Sequence, residues 1–332
     1  PARLAQGGLL LTLLLTVASP LLVAEEIRFP EARFGKGELK YISGLPVLSV
    51  EGTPAEMGAQ QAALLGKVAE GLIDYPQDLL AKLRRKGEWP RFVAKAMALV
   101  PHFPPDHLAE LDAFAKASGI DRRQLIGVNT MVDMSRGGFG CSSLIVAPGR
   151  SKTEGPLFGR NLDFHTLGKL QRYSIVVVYR PAGKHAFASI GFPGLFGCLS
   201  GMNDAGLAVA VHEVYSSRDG SPMFSGMGTP YTLCFRRILE ECSTLEEAEK
   251  LLRSVKRTTL LNLAVCDRRR GGVLEMTPKS VVLRRDEDGI CACTNHFRSE
   301  ALARVRACSR YDKLLKAKSL ERIDLPDVAG KL

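Results

Sequence analysis

The stretch GGFGCSSLIVAPGRSKTEGPLFGRNLD, Gly137 to Asp163, decides how this chain reads. A glycine run delivers Cys141, an apolar β-rich segment carries the chain away, and Arg160 and Asp163 follow as an Arg-x-x-Asp pair. A thiol is a poor nucleophile until it is deprotonated, so a reactive cysteine needs a base or a field that lowers its pKa. The chain has six histidines, His102, His107, His165, His185, His212 and His296, and none stands in a local motif that would supply that base. Cleavage of the Gly140–Cys141 bond solves the problem differently, because the freed α-amine (ordinary pKa about 7.7–8.0) sits beside the thiol it must deprotonate. Gly140 suits such a bond: glycine reaches backbone conformations closed to other residues, which lets the scissile amide be strained towards attack by the thiol.

On either side of this stretch the hydrophobic period differs. Before it, Thr53-Pro54-Ala55-Glu56 is a capping box with proline at the first helical position, and Met57, Ala62, Leu64, Leu65, Val68 and Leu72 recur at helical spacing. Asp74 to Lys86 and Arg91 to Val100 read as further helices, Pro104-Pro105-Asp106 starts another that runs to Gly119, and one short strand at Pro46–Val50 precedes them all. Beyond Cys141 the period is two. Leu144–Ala147, Tyr173–Tyr179, His185–Gly191, Leu207–His212, Leu261–Cys266, Val273–Met276, Ser280–Leu283 and Ile290–Thr294 read as strands, separated by turn residues. One helical interlude, Thr229 to Val255, carries Thr244 as the cap of its second helix. With no internal repeat and no low-complexity linker, the pattern predicts one α+β domain over residues 25–332, with antiparallel sheets covered by helices. Residues 25–140 form a mostly helical pro-segment or α chain, and residues 141–332 the catalytic β chain.

The 332 residues are 45% hydrophobic, enough for a sizeable core. The formal charge of +10 suggests attraction to anionic surfaces or substrates, but Lys and Arg are spread along the chain. Clusters such as Arg84-Arg85-Lys86 and Arg268-Arg269-Arg270 are expected to be solvated loops. No zinc-finger spacing, no RNA-binding motif and a single tryptophan argue against a nucleic-acid reader. No His-x-x-x-His or Cys-x-x-Cys pair points to a metal, and no cofactor is expected. Residues 1–24 combine Arg3, an uncharged apolar run broken by Pro20, and Ala24 before Glu25-Glu26, as in a secretory signal peptide. The expected location is therefore exported: periplasmic, extracellular or envelope-associated. A start at Pro1 implies that the extreme N-terminus is missing. Eight cysteines in an exported chain suggest disulfides, yet a free Cys141 leaves seven, so pairing is incomplete. Cys291 and Cys293 share a strand face and should not bridge each other, while Cys198, Cys234, Cys242, Cys266 and Cys308 are expected to act as small buried hydrophobes.

Eight separated blocks occur in a fixed order: Gly52-Thr53-Pro54-Ala55-Glu56-Met57-Gly58 with Gln60; Glu110-Leu111-Asp112 with Ala117-Ser118-Gly119; Asn129 with Asp133; Cys141-Ser142-Ser143; Gly159-Arg160-Asn161-Leu162-Asp163; Gly201-Met202-Asn203-Asp204-Ala205-Gly206-Leu207; Thr294-Asn295-His296-Phe297; and Ser309-Arg310-Tyr311. On these blocks the chain, from about Gly44 to Leu314, resembles the penicillin acyltransferase-like branch of the N-terminal nucleophile (Ntn) hydrolases, related more distantly to bile salt hydrolases and acid ceramidase. The resemblance implies a four-layer αββα sandwich, self-cleavage between Gly140 and Cys141, and hydrolysis or transfer of an acyl group at a linear amide of a small-molecule substrate. It makes Cys141 the nucleophile and sets Asp163 beside the new α-amine. Arg160 stabilises negative charge or engages substrate, Asn295 donates to the oxyanion through its side-chain N–H, and Arg310 supports the site electrostatically.

Two departures stand out. Where many relatives carry an oxyanion-contributing asparagine, this chain has His212 followed by Glu213, so His212 is a candidate oxyanion or substrate contact. Relatives also continue past the Ser-Arg-Tyr block into further strands, whereas this chain stops at Leu332, which points to truncation. Two other functions fit the same scaffold: a non-catalytic binding protein of the envelope, and an ester or phospholipid hydrolase whose basic charge gives peripheral membrane contact.

Overall fold

A computed structural model describes residues 27–134, 139–305 and 307–332. The predicted signal segment lies outside the described residues. The chain begins with β1 (Ala32–Phe34), β2 (Gly37–Ile42) and β3 (Leu45–Gly52), then five helices: α1 (Pro54–Glu70), α2 (Tyr75–Lys82), α3 (Trp89–Ala98), α4 (Pro105–Ser118) and α5 (Arg122–Met134). Six strands follow, β4 (Phe139–Val146), β5 (Leu157–Phe164), β6 (Ile175–Pro181), β7 (Phe187–Gly191), β8 (Ser200–Asn203) and β9 (Ala208–Glu213). Helices α6 (Tyr231–Glu241) and α7 (Leu245–Ser254) precede β10 (Leu261–Cys266), β11 (Gly271–Met276), β12 (Val281–Arg285) and β13 (Ile290–Cys293). The chain closes with α8 (Ser309–Leu315) and α9 (Leu325–Lys331). Both predicted caps form. The hydroxyls of Thr53 and Thr244 accept from the N–H groups of Glu56 and Glu247, whose carboxylates accept in return.

Ten strands make one sheet in the order β1-β2-β3-β6-β7-β8-β9-β10-β11-β12, and β13-β4-β5 make a second. The pairs are antiparallel except β3 with β6, which run parallel. That departure from a purely antiparallel expectation follows from connection length: five helices and the β4–β5 hairpin lie between β3 and β6, ample for the crossover a parallel pair needs.

Alternating side chains set the layers. Leu39, Leu48, Val177, Val209, Val211, Leu263 and Leu274 face one way and pack with Met57 and Leu65 of α1 and with helices α6 and α7. On the reverse face Ala264, Cys266 and Val273 meet Ile145, Cys291 and Cys293 of the small sheet. The outer face of that sheet, with Leu144, Val146, Leu157, Ile290 and Ala292, is covered by Tyr311 and Leu314 of α8 and Val328 of α9. The order is helices, large sheet, small sheet, helices: the αββα sandwich. Within β4, a slip of one residue would exchange Ile145 for Leu144 at the inter-sheet contact and swing Cys141 away from the interior.

Strands β1, β2, β5 and β8 and helices α5, α8 and α9 are absent from the sequence-based reading. In β5 the reason is plain: Arg160, Asn161 and Asp163 break the apolar alternation, because the strand lies at the edge of its sheet with Asn161 and Asp163 exposed. The clusters Arg84–Lys86 and Arg268–Arg270 are exposed, as expected. All eight cysteines are free thiols, seven of them buried; Cys308 departs from the expectation by being half-buried.

Segments on the two sides of Gly140–Cys141 are joined by buried polar contacts. Arg236 of α6 donates to Glu110 of α4 at 2.5 Å and to Glu240 at 2.8 Å, with its guanidinium 4.5 Å from the centre of the Tyr179 ring. His107 lies 3.1 Å from Glu240. Asn129 of α5 donates to the Gly194 carbonyl and accepts from the Phe196 N–H, while Asp133 accepts from the Tyr231 N–H. The Asn129/Asp133 block is thus a set of cross-links.

Helices α1 and α4 touch at Gly58, where a β-carbon would lie 2.2 Å from the Glu110 carbonyl oxygen and 2.9 Å from the Ala113 β-carbon. Gly58→Ala is expected to lower stability by about 1–3 kcal/mol through overpacking. Gly149→Ala, which meets nothing within 4 Å, serves as the control, and urea midpoints of the two variants decide the point.

Candidate functional site

Cys141 lies in β4, paired with Leu162 of β5, while Gly140 pairs with Asp163 and Ser143 with Arg160. Period two places Cys141, Ser143, Arg160 and Leu162 on the face turned to the large sheet. Cys141 is fully buried. Its backbone N–H donates to Asn295 Oδ1 at 2.8 Å, and its carbonyl accepts from Arg310 Nη1 at 2.6 Å. Arg310 Nη2 also donates to Asn295 Oδ1, at 2.9 Å, and Asn295 Nδ2 donates to the Glu213 carbonyl at 2.9 Å. The orientation of the Asn295 amide is therefore fixed by its neighbours: two pure donors face its oxygen and a pure acceptor faces its nitrogen.

The Cys141 sulfur lies 3.7 Å from Arg160 Nη2. Arg160 is itself held by the Val211 carbonyl at 2.8 Å and the Ser200 hydroxyl at 2.5 Å. Burial pushes the Cys141 thiol up, and the Glu213 carboxylate adds to this. The Arg160 charge and hydrogen bonding from Asn295 pull the other way without overcoming burial. In the intact chain the sulfur is thus held largely as thiol. Burial in turn lowers the pKa of the Arg160 guanidinium, offset in part by Cys141.

Asp163 has a different setting. It is exposed, on the opposite strand face from Leu162, and a β-carbon at Gly140 would lie 3.2 Å from Asp163 Oδ2. The carboxylate therefore stands against the residue before Cys141, where any larger side chain would crowd it.

His212 in β9 pairs with Asn262 of β10, between the two sheets. Its ring is fully buried, and neither nitrogen has a hydrogen-bond partner. Burial and the nearby positive charge of Arg160 push its pKa well below the ordinary histidine value, with a smaller contribution from Arg310, so the ring is neutral. Ser143 Oγ and Asn262 Oδ1 are likewise buried without partners.

The structure thus brings Cys141, Arg160, Asn295 and Arg310 into direct contact, sets Asp163 against Gly140, and places His212 within reach of the Arg160 charge. Sequence reasoning missed Ser200, which anchors Arg160, and the Glu213 carbonyl, which anchors Asn295. Ser200 borders the Gly201–Leu207 block, but a backbone carbonyl leaves no mark in a sequence. Among the described residues no cluster of three metal-ligating side chains occurs, and no helix is long and apolar enough to cross a membrane.

Comparison with known proteins gives the following. The family model described as acyl-coenzyme A:6-aminopenicillanic acid acyl-transferase matches residues 150–322, beginning after Cys141. An uncharacterized protein of Archaeoglobus fulgidus is 23% identical over 278 residues, which cover 73% of this chain and 45% of that protein. The chain thus spans less than half the length of that curated relative. Among solved structures, a Caenorhabditis elegans N-acylethanolamine-hydrolyzing acid amidase ortholog is 18% identical, with a TM-score of 0.46, covering 58% of this chain and 85% of its own. A C2A mutant of the conjugated bile acid hydrolase of Clostridium perfringens is 19% identical, with a TM-score of 0.32, covering 45% and 52%.

The buried neutral His212 has a consequence for stability. Its folded pKa is depressed, so below about 6.5 the unfolded chain takes up a proton that the folded chain does not, and stability falls as pH falls through that region. His212→Asn is expected to lose less stability than wild type between pH 8 and pH 5. Urea midpoints measured across that range check it, and equal slopes for the two proteins would refute the assignment.

Proposed function

The chain belongs to the acyl-coenzyme A:6-aminopenicillanic acid acyl-transferase family, and from that premise we propose that it is an exported cysteine Ntn enzyme that cuts its own Gly140–Cys141 bond and then cleaves or transfers acyl groups at linear amide bonds through a Cys141 thioester. The observation that carries this reading is the convergence on one residue and the glycine before it. Asn295 holds the Cys141 N–H, Arg310 holds its carbonyl, Arg160 meets its sulfur, and Asp163 stands over Gly140.

In the cleavage, Sγ attacks the Gly140 carbonyl carbon. The C–N bond breaks, the thiol proton ends on nitrogen, and a thioester forms. Water hydrolyses that thioester, which leaves the Gly140 carboxylate, a free thiol and the Cys141 α-amine. The α-amine inherits the acceptor that its precursor N–H already uses, Asn295 Oδ1, and gains the Asp163 carboxylate as counter-charge once Gly140 moves aside. It then serves as base for the thiol, while Arg160 favours the thiolate.

In turnover, substrate acylates Cys141 and its oxyanion is held by the Asn295 amide N–H. The α-amine passes the thiol proton to the leaving amine, and water or an acceptor amine releases the acyl group. An apolar cavity of about 60 Å³, bordered by Leu72, Tyr75, Met131, Val132, Leu162 and Leu199, supports an apolar acyl group. Leu162 connects it to the nucleophile, being the cross-strand partner of Cys141.

Intact mass after denaturation tests the first half. Wild type should give two fragments divided between Gly140 and Cys141, and Cys141→Ala a single chain. A folded wild type that stays whole would sink the self-processing mechanism. For the second half, Asn295→Ala, assayed on the fraction shown by mass to be cleaved, should lower amide turnover by about 100- to 1000-fold, the usual cost of losing one oxyanion donor.

A further inference from the structure

Two loops leave the strands that position the nucleophile. One follows β9 after Glu213 and carries Ser217, Arg218 and Gly220; the other follows β13 after Asn295 and carries Arg304. Together these four residues line an open pocket of about 410 Å³. The loops are tied by the Arg218 N–H, which donates to the Leu302 carbonyl at 3.0 Å, and by Arg218 Nη1, which donates to the Glu300 carbonyl at 3.3 Å. Both arginines are exposed, and among the described residues neither guanidinium has a carboxylate partner.

The rest of the loop is arranged to keep that charge in place. Lys279 Nζ donates to the Gly220 carbonyl at 3.1 Å and adds a third cation against the same turn. Gly220 has φ +67°, a left-handed turn that a side chain would strain. The one acid in the loop, Asp219, is committed elsewhere. Its Oδ1 accepts from the Ser217 hydroxyl and the Ser221 N–H, both at 2.9 Å, and its Oδ2 from the Thr277 hydroxyl at 2.6 Å. Burial alone would raise its pKa, but these hydrogen bonds hold it at about 2. Arg218, Arg304 and Lys279 against the carboxylates of Asp219 and Glu300 leave the two loops and the turn beside them net positive. Guanidinium groups match phosphate oxygens in both charge and geometry.

We propose that this pocket binds a phosphate group, carried by the molecule on which Cys141 acts. The identity of that carrier rests on the function proposed above; binding of phosphate itself does not. Cys141→Ala protein is therefore titrated with inorganic phosphate by calorimetry at low and at physiological salt, alone and with Arg218→Gln, Arg304→Gln or, as a remote control, Arg123→Gln. Arg304→Gln removes no described intramolecular bond, so it reports on the pocket even where Arg218→Gln loosens the loops. Saturable binding, weakened about tenfold or more by each pocket variant and unchanged by Arg123→Gln, is the expected result. Absence of saturable binding at low salt, or equal weakening by Arg123→Gln, overturns the site. With cleaved wild type, amides differing only in a phosphate group test the carrier. Phosphate should raise KM for the phosphorylated amide alone, and no difference between the two amides overturns the assignment to substrate while leaving the anion site standing.

Discussion

The hydrogen bond from the Cys141 N–H to Asn295 Oδ1 is the interaction on which the site depends. It spans the end of the small sheet, where β13 stops at Cys293 and would otherwise leave Cys141 without a main-chain partner on that side. A side chain takes over where the backbone ladder ends. Because Asn295 is also gripped by Arg310 and by the Glu213 carbonyl, the end of β9, the start of α8 and β4 are fixed to one another through a single amide. The large sheet supplies Arg160 with its anchors at Ser200 and Val211, so both sheets must be in register before the sulfur meets its charge partner.

Burial and charge compete at that sulfur, and burial prevails. The competition is a property of the intact chain, in which Cys141 has no free α-amine. A thiol kept protonated inside the fold is protected from oxidation and from metals, both of which require the thiolate. The arginine that would favour the thiolate is already in place, so under the proposed cleavage the one group still to be supplied is the base, the α-amine.

Much of this was legible before the fold was known. The switch from helical to strand period at Cys141 is written in the spacing of apolar residues, and Thr53 and Thr244 announce their helices through side-chain chemistry that acts within four residues. Cys141, Arg160, Asp163, Asn295 and Arg310 stood out because their blocks recur in order. What the sequence hides is contact between main chain and side chain across long separations: the Val211 and Glu213 carbonyls, and the Cys141 carbonyl that holds Arg310. Strand β5 was hidden for a different reason. Its polar residues face the site or solvent at a sheet edge, and periodicity records burial, not pairing. His212 was visible only as an oddity, and its unpartnered ring between two sheets emerges only once β9 and β4 are packed.

The parallel pairing of β3 with β6 acquires another meaning beside the Gly140–Cys141 bond. Residues Val47 to Gly52 and Val176 to Pro181 lie on opposite sides of that bond, yet they are adjacent rungs in the interior of the ten-stranded sheet. A chain severed there would possess a sheet woven from two polypeptides. The intact chain assembles that sheet by a unimolecular reaction, whereas two separated fragments must first find each other, with a rate that depends on their concentration. Cleavage would thus make folding a one-way history: the mature molecule persists by the slowness of its unravelling, and once unravelled in dilute solution it has lost the tether through which it first came together.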